Sequence, residues 1–234
     1  MLRNGDKVVK SLGEQVYNYL CDQLKKRALN PGTFLDLNDI AAKLGISRTP
    51  LRDALIYLEV DGYVEIVPRR GVRVKYLELS EVKNLYQIIG SLEATAMVES
   101  SKQFTAEDYQ QLNDMTREYR NKVEVGNLDD CLSINYAFHD YFLDRCGNPF
   151  LARMVRTLKR RLYDWPRHTD LLADWERINL AEHERMVSLL EAGDAQAAAA
   201  VLRDVHWQFQ TQEDYIRSFY AGSSSPESEQ EDLG

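Results

Sequence analysis

Four histidines occur in the 234 residues, and three of them fall where a helical chain can bring them together. His139 follows Asn135 by four positions, one turn further along the same helical face. His183 and His206 stand 23 residues apart on either side of Ala192-Gly193-Asp194, a sequence that breaks a helix and reverses the chain. His183 lies about 10 residues before the break and His206 about 12 after it. At a rise of about 1.5 Å per residue the two are nearly level on antiparallel neighbours. Two level imidazoles with a third on a neighbouring helix could hold a divalent cation inside a helical bundle. Three imidazoles without a cysteine suit zinc, nickel or a similar borderline ion. Each histidine alone also reads as an ordinary, partly buried polar side chain, and His168, in a loop beside Pro166, does not fit the group.

A second set of residues suits nucleic acid. Ser47, Arg48 and Thr49 lie at the start of a short amphipathic helix, and Arg52 follows Arg48 by four positions on the face opposite the leucines. The N-terminal end of a recognition helix enters the major groove, where an arginine can contact guanine with two bonds or clamp a phosphate. Arg69, Arg70 and Gly71 form the tip of a hairpin that could reach the adjacent backbone or minor groove.

The elements that position these arginines are legible one by one. Leu12, Val16, Tyr19, Leu20 and Leu24 line one face of a helix from Lys10 to Ala28, and Asn30-Pro31-Gly32 turns the chain. Asp36 predicts an N-cap for a second helix carrying Ile40, Ala41 and Leu44, which ends at Gly45. Ser47 predicts the cap of a third, with Pro50 in its first turn, Leu51, Leu55 and Leu58 on its apolar stripe, and Gly62 as its end. Two short helices joined by a tight glycine turn make a helix-turn-helix. The runs 63–67 and 72–76, joined at Pro68-Arg69-Arg70-Gly71, predict two strands of a basic wing.

Charge divides the chain in the same place. The net charge is −8, but residues 1–77 carry +4 and the remainder −12. A phosphate backbone would be drawn to the first part alone. No run of about 18 apolar residues predicts a membrane span. Cys21, Cys131 and Cys146 are too scattered for a disulfide framework or metal motif, which suits a reducing cytoplasm.

Beyond Leu77 the patterns are helical throughout. Starts are expected at Ser80, Thr105 (a capping sequence), Asn127, Asn148-Pro149, Thr169 and after Gly193-Asp194. The corresponding ends fall near Ser100, an unspecified point before Asn127, Arg145, Trp165-Pro166, Ala192 and Tyr220. Six helices with short loops imply an antiparallel all-helical bundle. The expected division is 1–77 winged helix-turn-helix, 78–221 helical effector-binding and dimerisation domain, and 222–234 a disordered tail rich in Ser, Glu, Asp and Pro. The fold class is mostly α.

The stretch NPGTFLDLNDIAAKLGISRTPLRDALIYLEVDGYVEIVPRRGVRVKYL, with its PG turn, SRTP-L-R-x-AL helix and RRG wing, resembles the winged helix of the GntR family. NYAFHDYFLDRCGNPFL and H-ERMVSLLEAGDAQAAAAVLRDV-H are similar to the FadR-like branch with an FCD ligand-binding domain. The resemblance implies a homodimeric regulator, with repressor as the expected role, that binds a palindromic operator in double-stranded DNA. A small-molecule effector, an organic acid being the candidate class, would modulate that binding.

In metal-binding members an Asp or Asn and three histidines ligate the ion. Those positions fall on Asn135, His139, His183 and His206, with an amide where many relatives have a carboxylate. The first turn of the second helix usually carries a basic residue that touches DNA. Asn38 stands there and is expected to make a weaker or altered phosphate contact. Relatives carry an arginine facing the effector where Ile89 stands, so either the effector is less anionic or another group such as Arg153 or Arg156 takes that role. A metal-dependent enzyme built on the three histidines is the competing expectation, disfavoured because no carboxylate is placed as a general base.

Overall fold

The computed structural model describes residues 11–26, 28–163, 165 and 173–220. The chain forms two compact units. One comprises the described residues up to Tyr76 together with Tyr163 and Trp165, and the other Leu77–Leu162 together with the described residues from Ala173 onward.

In the first unit, α1 (Leu12–Lys25) is opened by the Ser11 hydroxyl, which accepts from the Glu14 amide at 3.1 Å. It buries Val16, Leu20 and Leu24. Helix α2 (Leu37–Leu44) is capped by Asp36, whose carboxylate accepts from the Asn38 and Asp39 amides at 3.0 Å. Gly45 ends it at φ 62°, a left-handed conformation that glycine adopts without a Cβ penalty. Helix α3 (Arg48–Val60) follows at once and buries Leu51, Ala54, Leu55 and Leu58 against α1 and α2. Ser47 has the extended backbone of a cap, but its hydroxyl makes no capping bond, contrary to expectation.

Strands β1 (Val64–Val67) and β2 (Gly71–Val74) pair antiparallel, with Val64 opposite Val74 and Val67 opposite Gly71. They are shorter than the predicted runs at the ends away from the turn. Arg69, at the tip, has φ 62°.

The second unit is helical: α4 (Leu79–Ser101), α5 (Ala106–Glu124), α6 (Leu128–Arg145), α7 (Pro149–Tyr163), α8 (Ala173–Glu191), α9 (Ala195–Val201) and α10 (Phe209–Tyr220). Local chemistry sets most starts. Thr105 and Asp108 form a capping box in which both the Thr105 amide and hydroxyl donate to Asp108, at 2.7 and 2.8 Å. The Asn127, Asn148 and Asp194 side chains each accept from an amide three residues on, at 3.4, 3.1 and 2.9 Å. Helix α4 packs against α6 and α9, α5 against α6 and α8, and α8 against α9.

One expected element differs. The final helix is not continuous, because Leu202–His206 forms a π-helical turn between α9 and α10. The Trp207 amide bonds back five residues to the Leu202 carbonyl at 3.0 Å, which widens the helix there. The expectations for His168, for Pro166, for a fifth helix starting at Thr169, for Lys10 as the start of the first, and for the tail at 222–234 fall outside the described residues.

Candidate functional site

The three predicted histidines meet in the core of the helical unit. His139 comes from α6, His183 from α8 and His206 from the last position of the π turn. Their ring centroids form a triangle with sides of 5.2, 5.0 and 5.1 Å. One donor nitrogen from each lies within 4.8 Å of the others. All three are buried. The level placement of His183 and His206 follows from the turn at Gly193, and His206 closes the π turn.

Two carboxylates stand behind the rings. His206 Nδ1 shares a hydrogen bond of 2.7 Å with Glu182 Oε2. His139 Nδ1 lies 2.7 Å from Glu93 Oε2, an ion-pair distance at which the ring N–H is not well aligned as a hydrogen bond. Glu93 is held from two further sides, by Lys159 Nζ at 2.9 Å and by the Trp207 indole N–H at 2.8 Å. Gln212 donates to Glu182 at 3.4 Å and accepts from the Trp175 indole at 2.6 Å. Among the described residues no carboxylate meets the His183 ring nitrogens. The His183 ring stacks on Phe138 at 4.1 Å and 11°.

Electrostatics favour neutral ligands. Burial pushes His139 down to about 4 and His183 well below the ordinary imidazole value. Burial works against the charge on Glu93, but His139 and Lys159 outweigh it and hold the carboxyl below the usual range. Both ring nitrogens of His183 are buried without a hydrogen-bond partner among the described residues, and so is His139 Nε2. Orphaned imidazole nitrogens converging in a buried core fit a cation, which needs neutral imidazole lone pairs. His139, His183 and His206 would hold it.

Asn135 is buried one turn before His139, where its amide and the Glu176 carboxylate both meet the Tyr119 hydroxyl. Burial and Glu176 push the Tyr119 phenol up, so it stays a neutral donor.

Among the described residues the buried cation beside this cluster is Lys159, on the same helix as the two arginines expected to meet an effector. Arg153 is exposed and lies over the Phe150 ring at 4.9 Å, and Arg156 pairs with Asp140 and Asp144 at 3.1 and 2.6 Å. Sequence reasoning also missed Glu93 and Glu182 as partners of the rings. For Glu93 and Lys159 the missed signal was an ionisable residue on an apolar stripe. Glu93 continues Val82-Leu85-Ile89 on α4, and Lys159 interrupts Ala152-Val155-Leu162 on α7.

In the first unit Ser47, Arg48, Thr49 and Arg52 are exposed together at the start of α3, and Arg69, Arg70 and Gly71 are exposed at the tip of the hairpin. Arg48 donates to the Asn38 side-chain oxygen at 3.0 Å, so Asn38 steers an arginine as well as facing outward. Arg70 lies 5.3 Å from the Phe34 ring centroid.

Known families match both parts: the gntR family of bacterial regulatory proteins over residues 12–74 and the FCD domain over 84–206. The chain belongs to the GntR family. Among GntR-type relatives, the HTH-type transcriptional regulator McbR of Escherichia coli is 28% identical over 152 residues, 65% of this chain and 69% of McbR. The Nta operon transcriptional regulator of Aminobacter aminovorans is 27% identical over 184 residues, 76% of this chain and 84% of that one. The solved structure of E. coli McbR/YncC has a TM-score of 0.66 at 23% identity, over 89% of this chain and 98% of that one. Lar, which controls expression of the Listeria monocytogenes agr system, has 0.58 at 19%, over 90% and 99%. These structures share the fold.

The GntR-type unit makes the protein a DNA-binding transcriptional regulator, and the FCD domain implies a small-molecule effector. The relatives are regulators, so the metal-dependent enzyme falls away. No described helix is long and apolar enough to cross a membrane.

Proposed function

We propose that the protein is a metal-containing, effector-responsive repressor. It works in the cytoplasm as a homodimer, with one winged helix per subunit on a palindromic operator. Residues 1–77 bind DNA and 78–221 bind effector and partner. Asn38, Ser47, Arg48, Thr49, Arg52, Arg69, Arg70 and Gly71 form the DNA surface. Asn135, His139, His183 and His206 hold a divalent ion, zinc or nickel. The ion supplies a Lewis-acid position for a chelating metabolite such as an organic acid. Effector binding then alters the spacing of the two DNA heads, which requires the ligand to prefer one arrangement over the other.

The observation that carries this reading is the convergence of three buried imidazoles, with unpartnered ring nitrogens, in a chain that also carries an arginine-bearing helix-turn-helix. A mobility-shift assay on fragments from around the protein's own gene tests it. A salt-sensitive complex is expected, released by the effector, and no complex at low salt with folded protein would overturn the DNA-binding half.

A further inference from the structure

We propose that Glu93 and Glu182 are the positioning residues of the metal centre, and that they anchor two of its three histidines while the third is held by stacking alone. The proposal rests on the metal-binding reading above and deepens it. A carboxylate on one imidazole nitrogen fixes that nitrogen as the N–H donor, which leaves the other with the lone pair for a cation. Glu182 does this for His206 at 2.7 Å, and Glu93 stands at the same distance from His139.

Each carboxylate is itself held. Glu93 is gripped by Lys159 from α7 and by the Trp207 indole just past the π turn. Glu182 is met by Gln212 of α10, which the Trp175 indole holds in turn. A side chain held this way stays beside its ring: Glu182 orients His206 through a hydrogen bond, and Glu93 keeps its carboxylate 2.7 Å from His139 Nδ1. Nothing comparable holds His183, whose ring lies flat on Phe138 with no carboxylate on either nitrogen.

Charge points the same way. The buried carboxylates of Glu93 and Glu182 stand directly behind two of the rings, with the Lys159 ammonium on Glu93, and a carboxylate behind an imidazole makes it a better ligand for a cation. The π turn belongs to the same arrangement. His206 closes the π turn and Trp207 follows it, so from consecutive positions one ring joins the cluster while the other donates to Glu93.

The test uses the full-length protein and cobalt(II), whose visible absorption reports ligand geometry and whose affinity is read by chelator competition. Glu182→Ala is expected to weaken cobalt binding by about 10- to 100-fold and to shift the absorption bands. Glu182→Gln, whose amide oxygen can still accept from the ring N–H, should recover part of both. Glu93→Gln alone leaves Lys159 buried without its partner, so Glu93→Gln/Lys159→Met carries that arm, with the same weakening expected. His139→Ala/His183→Ala should lose the ion. If that histidine variant loses cobalt while the carboxylate variants keep wild-type affinity and spectrum, the positioning role is overturned and the metal site stands. If the wild-type protein takes up no cobalt, the metal reading falls and this proposal falls with it.

Discussion

A Cβ built on Gly90 of α4 would lie 2.7 Å from the Cβ of Trp207, closer than side-chain atoms approach. The bare glycine lets the chain after the π turn press onto α4, and this is how the Trp207 indole reaches Glu93 one turn further on. Gly90→Ala should therefore force Trp207 outward and cost about 1 to 3 kcal/mol, the usual range for overpacking a core. Urea denaturation measures the loss, and tryptophan fluorescence of the folded variant should report a changed indole environment. Unchanged stability would mean that Trp207 moves aside freely.

The buried pair Lys159–Glu93 sets up a second expectation. Removing one partner of a buried ion pair strands the other charge, which costs about 3 to 5 kcal/mol, whereas removing both is far milder. Lys159→Met should destabilise the metal-free protein strongly, and Glu93→Gln/Lys159→Met should restore much of the loss. Equal destabilisation by the single and double variants would show that Lys159 acts through packing instead.

Arg48 and Arg52 can be separated from general electrostatics by how their loss reads out. If they contact base edges, replacing either by Ala should cost about 1 to 3 kcal/mol of operator affinity and relax sequence preference locally. If they contact phosphates, binding weakens on all sequences and the salt dependence falls by about one unit of slope per lost contact. Asn38→Ala should resemble a weak Arg48 variant, because Asn38 accepts from the Arg48 guanidinium at 3.0 Å. Fluorescence anisotropy across a salt series distinguishes these outcomes.

Much of this was legible in the sequence, for a local reason. The helix-turn-helix is written in neighbours: Asp36 as cap, Gly45 as stop, and leucines at 51, 55 and 58 as a buried stripe. The level placement of His183 and His206 needed only the turn between them and the rise of a helix. Glu182 was not legible, since beside His183 it reads as a solvated flank, and its burial depends on α10 folding back so that Gln212 meets it. The pairing of Glu93 with Lys159 spans 66 residues, a separation no periodicity can register. The π turn also escaped, because Leu202–His206 has the residue types of an ordinary helix.

Asp108 makes acid sensitivity specific. Bonds from the Thr105 amide, the Tyr141 hydroxyl and the Thr105 hydroxyl hold its carboxyl well below the usual range. A folded-state value below the unfolded one means that this stabilisation is full above the unfolded value, about 3.9, and is lost as pH falls through the folded one. Asp108→Asn should lower stability at neutral pH and flatten its decline below about pH 4. A decline as steep as wild type would assign the acid sensitivity to other groups.

The most direct measurement is the metal content of tag-free protein purified without chelators, by elemental analysis, beside His139→Ala/His183→Ala. About one ion per chain, lost in the variant while the helical content is kept, is the expected result, and a screen of metal-chelating metabolites for release of DNA follows from it. No bound ion in the wild-type protein, even after incubation with zinc or nickel, would contradict a metal-dependent effector site and make the three histidines structural.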